Sequence, residues 1–162
     1  MFLSYREFVE SIRVPAGREA TWRDFAAWSA GIRAATKNVV AHQAFEEIRG
    51  VLAAQAAGVL TRDAYAALGV RHSIFPAERR HALYDIFEKY QYWLAETQLF
   101  NLNLLAHKRL LLAAPRYDFV VINEVQDITM AELALILKTL KRPGQFLLCG
   151  DSNQIVHPNF FL

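Results

Sequence analysis

Two hydrophobic periodicities divide this chain. Through the first two thirds, apolar side chains recur three and four residues apart, as on helices with one buried face. Ser4 and Glu7 make a capping-box pair ahead of Phe8, Val9 and Ile12, and Val14-Pro15-Ala16-Gly17 breaks that helix. Thr21 and Asp24 repeat the device at the head of a helix carrying Trp22, Phe25, Ala26, Ser29 and Ile32. The spacing predicts a further helix over 40–57, with Ala44, Phe45, Ile48, Val51 and Leu52 inward. A short one over 62–68 should close on Gly69 as a left-handed cap. Pro76 suits the first turn of the longest helix, 77–97. Its stripe of Leu83, Ile86, Phe87, Tyr90 and Trp93 (or Leu94) reads as core in preference to a base-stacking platform. Asn101 is placed to cap a last helix over 102–113.

After Tyr117 the pattern changes. Phe119-Val120-Val121-Ile122 is short, β-branched and without alternation, which predicts a strand buried on both faces. The polar cluster Asn123-Glu124-Val125-Gln126-Asp127 stands at its C-terminal end, where open α/β sheets place their ligands. Thr129 and Glu132 form a third capping box, and the helix behind it should reach about Lys141 before Pro143-Gly144 stops it. A second apolar run, Phe146-Leu147-Leu148-Cys149, ends in Gly150-Asp151-Ser152-Asn153-Gln154. Strand, helix and strand in this order predict a parallel, right-handed βαβ unit. The expected class is α/β: a helical region over 1–114, then an incomplete βαβ unit over 115–162.

Composition narrows the classes. At 162 residues the chain is one domain, or one domain and a fragment, with core enough to fold. A hydrophobic share of 54% with 21% charged residues describes a globular protein. A net charge of +2 is too small to imply nucleic-acid binding by itself. Cys149, the single cysteine, falls in a predicted strand and reads as a buried, reduced residue of an intracellular protein. No apolar run approaches the ~20 residues that span a bilayer, no signal peptide is visible, and the expected compartment is the cytoplasm. His42, His72, His81, His107 and His157 show no metal-ligand spacing. Ser152 has neither a histidine partner nor a glycine elbow.

The segments NEVQD at 123–127 and GDSNQ at 150–154 resemble motifs II and III of UvrD/Rep-type superfamily 1 helicases. Motif II there reads D-E-x-Q-D and motif III G-D-x-x-Q. The resemblance implies that 115–162 is an incomplete RecA-like core and that the helices before it form an inserted subdomain. It further implies ATP and Mg²⁺ as cofactors and single-stranded DNA as a partner of an intact parent. Glu124 would act on the attacking water and Gln154 would sense the γ-phosphate. Gln126, Asp127 and Asp151 would stand beside the nucleotide, and Asn123 with Glu124 beside the metal. His157, with Phe160, would stack on DNA bases. Asn123 departs from the motif, because an amide keeps one oxygen ligand and loses the charge that holds a hard cation. Asn101 and Asn103 likewise replace acids in an upstream segment of the family.

No stretch reads G-x-x-x-x-G-K-[ST], and 31–37 is the nearest approach. The expectation is therefore a piece of an ATP-dependent DNA helicase that is inactive alone. Its partners would be the remaining helicase domains or a second copy, with no membrane. The rival reading is a non-catalytic, degenerate module that binds DNA or protein. Asn123, Asn101 and Asn103 favour the rival.

Overall fold

A computed structural model of the chain describes residues 1–32 and 39–150. Its helices are α1 (Tyr5–Ile12), α2 (Trp22–Gly31), α3 (Ala41–Glu47), α4 (Arg62–Ala66), α5 (Ala77–Glu96), α6 (Leu102–Leu110) and α7 (Met130–Lys138). The strands are β1 (Arg18–Glu19), β2 (Leu99–Phe100), β3 (Val120–Ile122) and β4 (Phe146–Leu148). They form two parallel two-stranded sheets, β1–β2 and β3–β4, so the fold is mixed α/β and mostly helical.

All three capping boxes form. Ser4 with Glu7, Thr21 with Asp24 and Thr129 with Glu132 each exchange side-chain and backbone hydrogen bonds at the head of α1, α2 and α7. Asn101 accepts from the Leu104 amide at 3.1 Å and starts α6. These short polar side chains satisfy amides that the first turn leaves unpaired.

Two cores result. The larger gathers Phe25, Phe45, Ile48, Leu52, Tyr65 and the Leu83, Ile86, Phe87, Tyr90, Leu94 stripe of α5. The stripe is core, as its spacing predicts. The second core joins Phe8 and Val9 of α1 with Leu105 and Ala106 of α6, Ile122 of β3, and Ala131, Leu135 and Ile136 of α7.

The helix expected over 40–57 ends early, and its ending ties the cores together. After α3 the backbone widens into a π-helical turn, Ile48–Leu52, in which the Ala53 amide donates to Ile48 O at 3.0 Å. Three carbonyls in and just after this turn face the second core. Arg49 O accepts from Asn103 Nδ2 at 2.7 Å, and Ala54 O from the Ala131 amide at 2.8 Å. Ala53 O lies 2.9 Å from His107 Nε2, which must therefore carry the proton.

Four further expectations are corrected. Gly69 is not a left-handed cap; the left-handed glycines are Gly17, Gly58 and Gly144. Arg80 takes over the capping at the end of α4, donating to Ala66 O at 3.1 Å, to Gly69 O at 3.3 Å and to Leu68 O. The α7 helix stops at Lys138, before Pro143-Gly144, because Leu140 bridges to Tyr117 as an extended residue. β3 and β4 are covered on one face only. Ile122 is buried, while Phe119, Val121 and Leu147 are exposed, and so is Leu148, the partner of Ile122 on the covered side. Cys149 is half-buried, not a core residue.

Candidate functional site

Parallel pairing of Ile122 with Leu148 brings the C-terminal ends of β3 and β4 side by side. Cys149 N donates to Ile122 O at 2.8 Å, and Val125 N donates to Cys149 O at 3.0 Å, so the loop after β3 folds across the end of β4. Glu124 turns the chain with left-handed backbone angles, φ 53° and ψ 47°. A non-glycine residue adopts that conformation at a cost, and such residues concentrate at functional turns. The 3-10 turn Val125–Asp127 follows, with Asp127 N donating to Glu124 O at 2.9 Å.

The side chains of this loop bond to one another. Gln126 Nε2 donates to Glu124 Oε2 at 2.5 Å, and Asn123 Nδ2 to Glu124 Oε1 at 3.4 Å. Gln126 is buried and its Oε1 has no hydrogen-bond partner, whereas Asn123, Glu124 and Asp127 are exposed. Gly150 fits against this loop because it lacks a side chain. A Cβ there would stand 2.5 Å from Gln126 Oε1 and 2.9 Å from Val125 Cγ1. The glycine of the second motif and the glutamine of the first are thus in steric contact.

Of the residues singled out in the sequence, Asn123, Glu124, Gln126 and Asp127 share this loop. Asp151, Gln154, His157 and Phe160 lie outside the described residues, as does much of the 31–37 segment. Sequence reasoning named Asn103 only as an amide in place of an acid and missed the bridge it makes. Its Oδ1 accepts from the Thr129 hydroxyl at 2.7 Å while its Nδ2 holds Arg49 O, so one buried amide joins α6, the π-helical turn and the cap of α7. An asparagine at the inward position of a leucine-rich helix was the available signal.

The described residues of the loop offer a magnesium–nucleotide complex fewer charged ligands than the resembled motif. Position 123 offers an amide where the resembled motif has a carboxylate, and two amide groups already engage Glu124. Among the described residues, no three His, Cys, Asp or Glu side chains gather as a metal-holding group. What the loop does is close the open end of β3–β4 with its own polar groups.

The chain matches no protein-family model and no solved structure. It is similar to TPR and ankyrin repeat-containing protein 1 of Homo sapiens, 31% identical over 106 residues, which is 61% of this chain and 4% of that protein. The chain therefore spans a small part of the curated relative it matches. That finding corrects the labels implied by the motif resemblance: helicase, UvrD-like, nucleotide-binding, hydrolase and DNA-binding. The relative's name describes a protein that contains TPR and ankyrin repeats. Among the described residues, no helix is long and apolar enough to cross a membrane.

Proposed function

We propose that this chain is a non-catalytic interaction module: a helical bundle joined to a parallel βαβ unit, serving protein binding. The observation that carries the reading is the internal engagement of Glu124. A carboxylate that activates water must be oriented toward that water, with its metal and phosphate partners arranged around it. Here Gln126 and Asn123 reach both carboxylate oxygens from within the same loop. The amide at position 123 deepens the deficit. The relative's name supports binding as the role, since TPR and ankyrin units stack into interaction surfaces. This chain shows no internal repeat of its own and would be a separate unit beside such an array.

The test is phosphate release from ATP by the purified chain with Mg²⁺. No release above the buffer rate is expected, and Asn123→Asp should not create any. Turnover that Glu124→Gln eliminates would overturn the reading.

A further inference from the structure

Three arginines meet at the C-terminal end of α1 without a carboxylate among them. Arg109, on α6, is 8% exposed. Its Nη2 donates to Arg13 O at 3.0 Å, while its buried Nε has no acceptor. Arg116 precedes β3 and donates through Nη1 to Ser11 O at 3.1 Å and to Ser11 Oγ at 3.3 Å. Arg13 itself is exposed at the end of α1. The ion pairs among the described residues engage Arg6, Arg18, Arg62 and Lys141, and none of these three arginines.

Part of this arrangement is structural. The last carbonyls of a helix carry partial negative charge, and Arg109 and Arg116 cap those of α1. Capping does not account for the unbonded Nε of Arg109, nor for Arg13 set close to it. Burial first, and the Arg13 charge second, lower the Arg109 pKa. A guanidinium withdrawn from water without a counter-ion is unfavourable unless something supplies one. The same two segments also expose aliphatic surface. Val14 follows Arg13 and is 75% exposed; Leu111 and Leu112 follow Arg109 and are 89% and 50% exposed. The turn that carries them closes on Arg109 O through the Leu112 amide at 2.9 Å and the Ala113 amide at 2.8 Å.

We propose that this face docks an acidic peptide segment bearing apolar side chains. Its carboxylates would meet the exposed Arg13 and Arg116, beside the buried charge of Arg109, and its apolar side chains Val14, Leu111 and Leu112. The inference rests on the interaction-module reading above and names the partner's chemistry. Guanidinium groups pair with carboxylates through two parallel hydrogen bonds, and arginine is a frequent anchor of protein interfaces. A phosphate backbone would use the cations but leave Val14 and Leu111 uncovered. The small net charge of +2 also gives nucleic acid little long-range attraction.

The experiment is fluorescence anisotropy on the whole 162-residue chain with a labelled peptide of alternating glutamate and leucine with a central phenylalanine. Polyglutamate of equal charge, a single-stranded oligonucleotide and phosphatidylserine vesicles serve as competitors. The peptide should bind at low salt and weaken as salt rises. Arg13→Glu and Arg116→Glu should each cost roughly tenfold in affinity, and Arg13→Lys less. Leu111→Ser should weaken binding without altering the salt slope. Circular dichroism melts of the variants, all at exposed positions, verify folding. Absence of binding at low salt, or affinity indifferent to both Arg13→Glu and Leu111→Ser, would overturn the proposal. So would polyglutamate competing as well as the peptide, which would mean charge alone. Stronger competition by oligonucleotide or vesicles would reassign the face to phosphate ligands. Failed peptide binding with no phosphate release rejects this surface and leaves the module reading in place; Glu124-dependent phosphate release rejects the module reading itself.

Discussion

The two cores are both built from apolar side chains and differ in how completely they close. Around α5, aromatic rings interlock: Phe25 lies 5.2 Å from Phe45 and 5.4 Å from Tyr90, and Trp28 stacks on Trp93 at 5.3 Å. Even the buried ions there are satisfied. Glu47 accepts from Tyr65 Oη at 2.8 Å, from Ile74 N at 3.0 Å and from Ser73, and Arg80 donates to backbone carbonyls throughout. The β3–β4 half buries Ile122 against α1, α6 and α7, yet leaves Phe119, Val121 and Leu147 exposed. A helix needs one covered stripe, whereas a parallel strand needs both faces covered. Apolar runs therefore give a sealed bundle in one region and a half-covered sheet in the other.

The sharpest way to break this comparison is a pair of truncations measured by urea unfolding. Phe25→Ala should cost about 3–5 kcal/mol and Leu147→Ala no more than about 0.5. Similar losses at both positions would mean that the outer face of β4 is covered in solution.

Arg80→Met should follow at about 3 kcal/mol, because it leaves the carbonyls of Ala66, Leu68, Gly69 and Phe75 without their donor. A loss under about 1 kcal/mol, the range of an ordinary surface change, would show that water replaces the guanidinium.

The seam between the cores is tested by Asn103→Leu, which strips Arg49 O and the Thr129 hydroxyl of their partner. The expected loss is about 1–3 kcal/mol. Separate unfolding transitions for the two halves should also become resolvable by near-ultraviolet dichroism. Gly150→Ala, whose Cβ would meet Gln126 and Val125, should cost about 1–2 kcal/mol and perturb only the end of the β3–β4 pair.

The smallest effects are electrostatic, and they oppose each other in two copies of one motif. Asp24 caps α2 in a partly exposed setting; Arg18, then Thr21, hold its carboxyl well below the usual range. A lowered native pKa contributes stability above the unfolded value, near 3.8, that disappears as pH falls below it. Glu132 caps α7 in a buried setting, and burial raises its carboxyl above the usual 4.5. A raised native pKa contributes stability below that value that is lost as pH climbs through it. Asp24→Asn should flatten the acid limb of the stability curve, and Glu132→Gln the slope above 4.5. Equal responses from the two variants would mean that burial does not separate the caps.

The local devices were legible in the sequence because they act between near neighbours. Ser4 with Glu7, Thr21 with Asp24, Thr129 with Glu132, and Asn101 all start helices where the spacing predicts, since a capping side chain reaches only three residues along. The α5 stripe and the parallel pairing of β3 with β4 follow from periodicity in the same way. Tertiary structure decided the rest. It widened Ile48–Leu52 into a π-helical turn, with Asn103, His107 and Ala131 taking up the carbonyls of Arg49, Ala53 and Ala54 in and after it. It moved the capping of α4 from Gly69 to Arg80, eleven residues away in sequence. It left Val121 and Leu147 uncovered, although an apolar run reads alike whether one face or both are buried. It also turned the Glu124 carboxylate toward Gln126 and Asn123, which no motif spelling discloses. Sequence pattern records what each residue can do for its own turn or strand, while burial and hydrogen-bond partners depend on which other segment arrives.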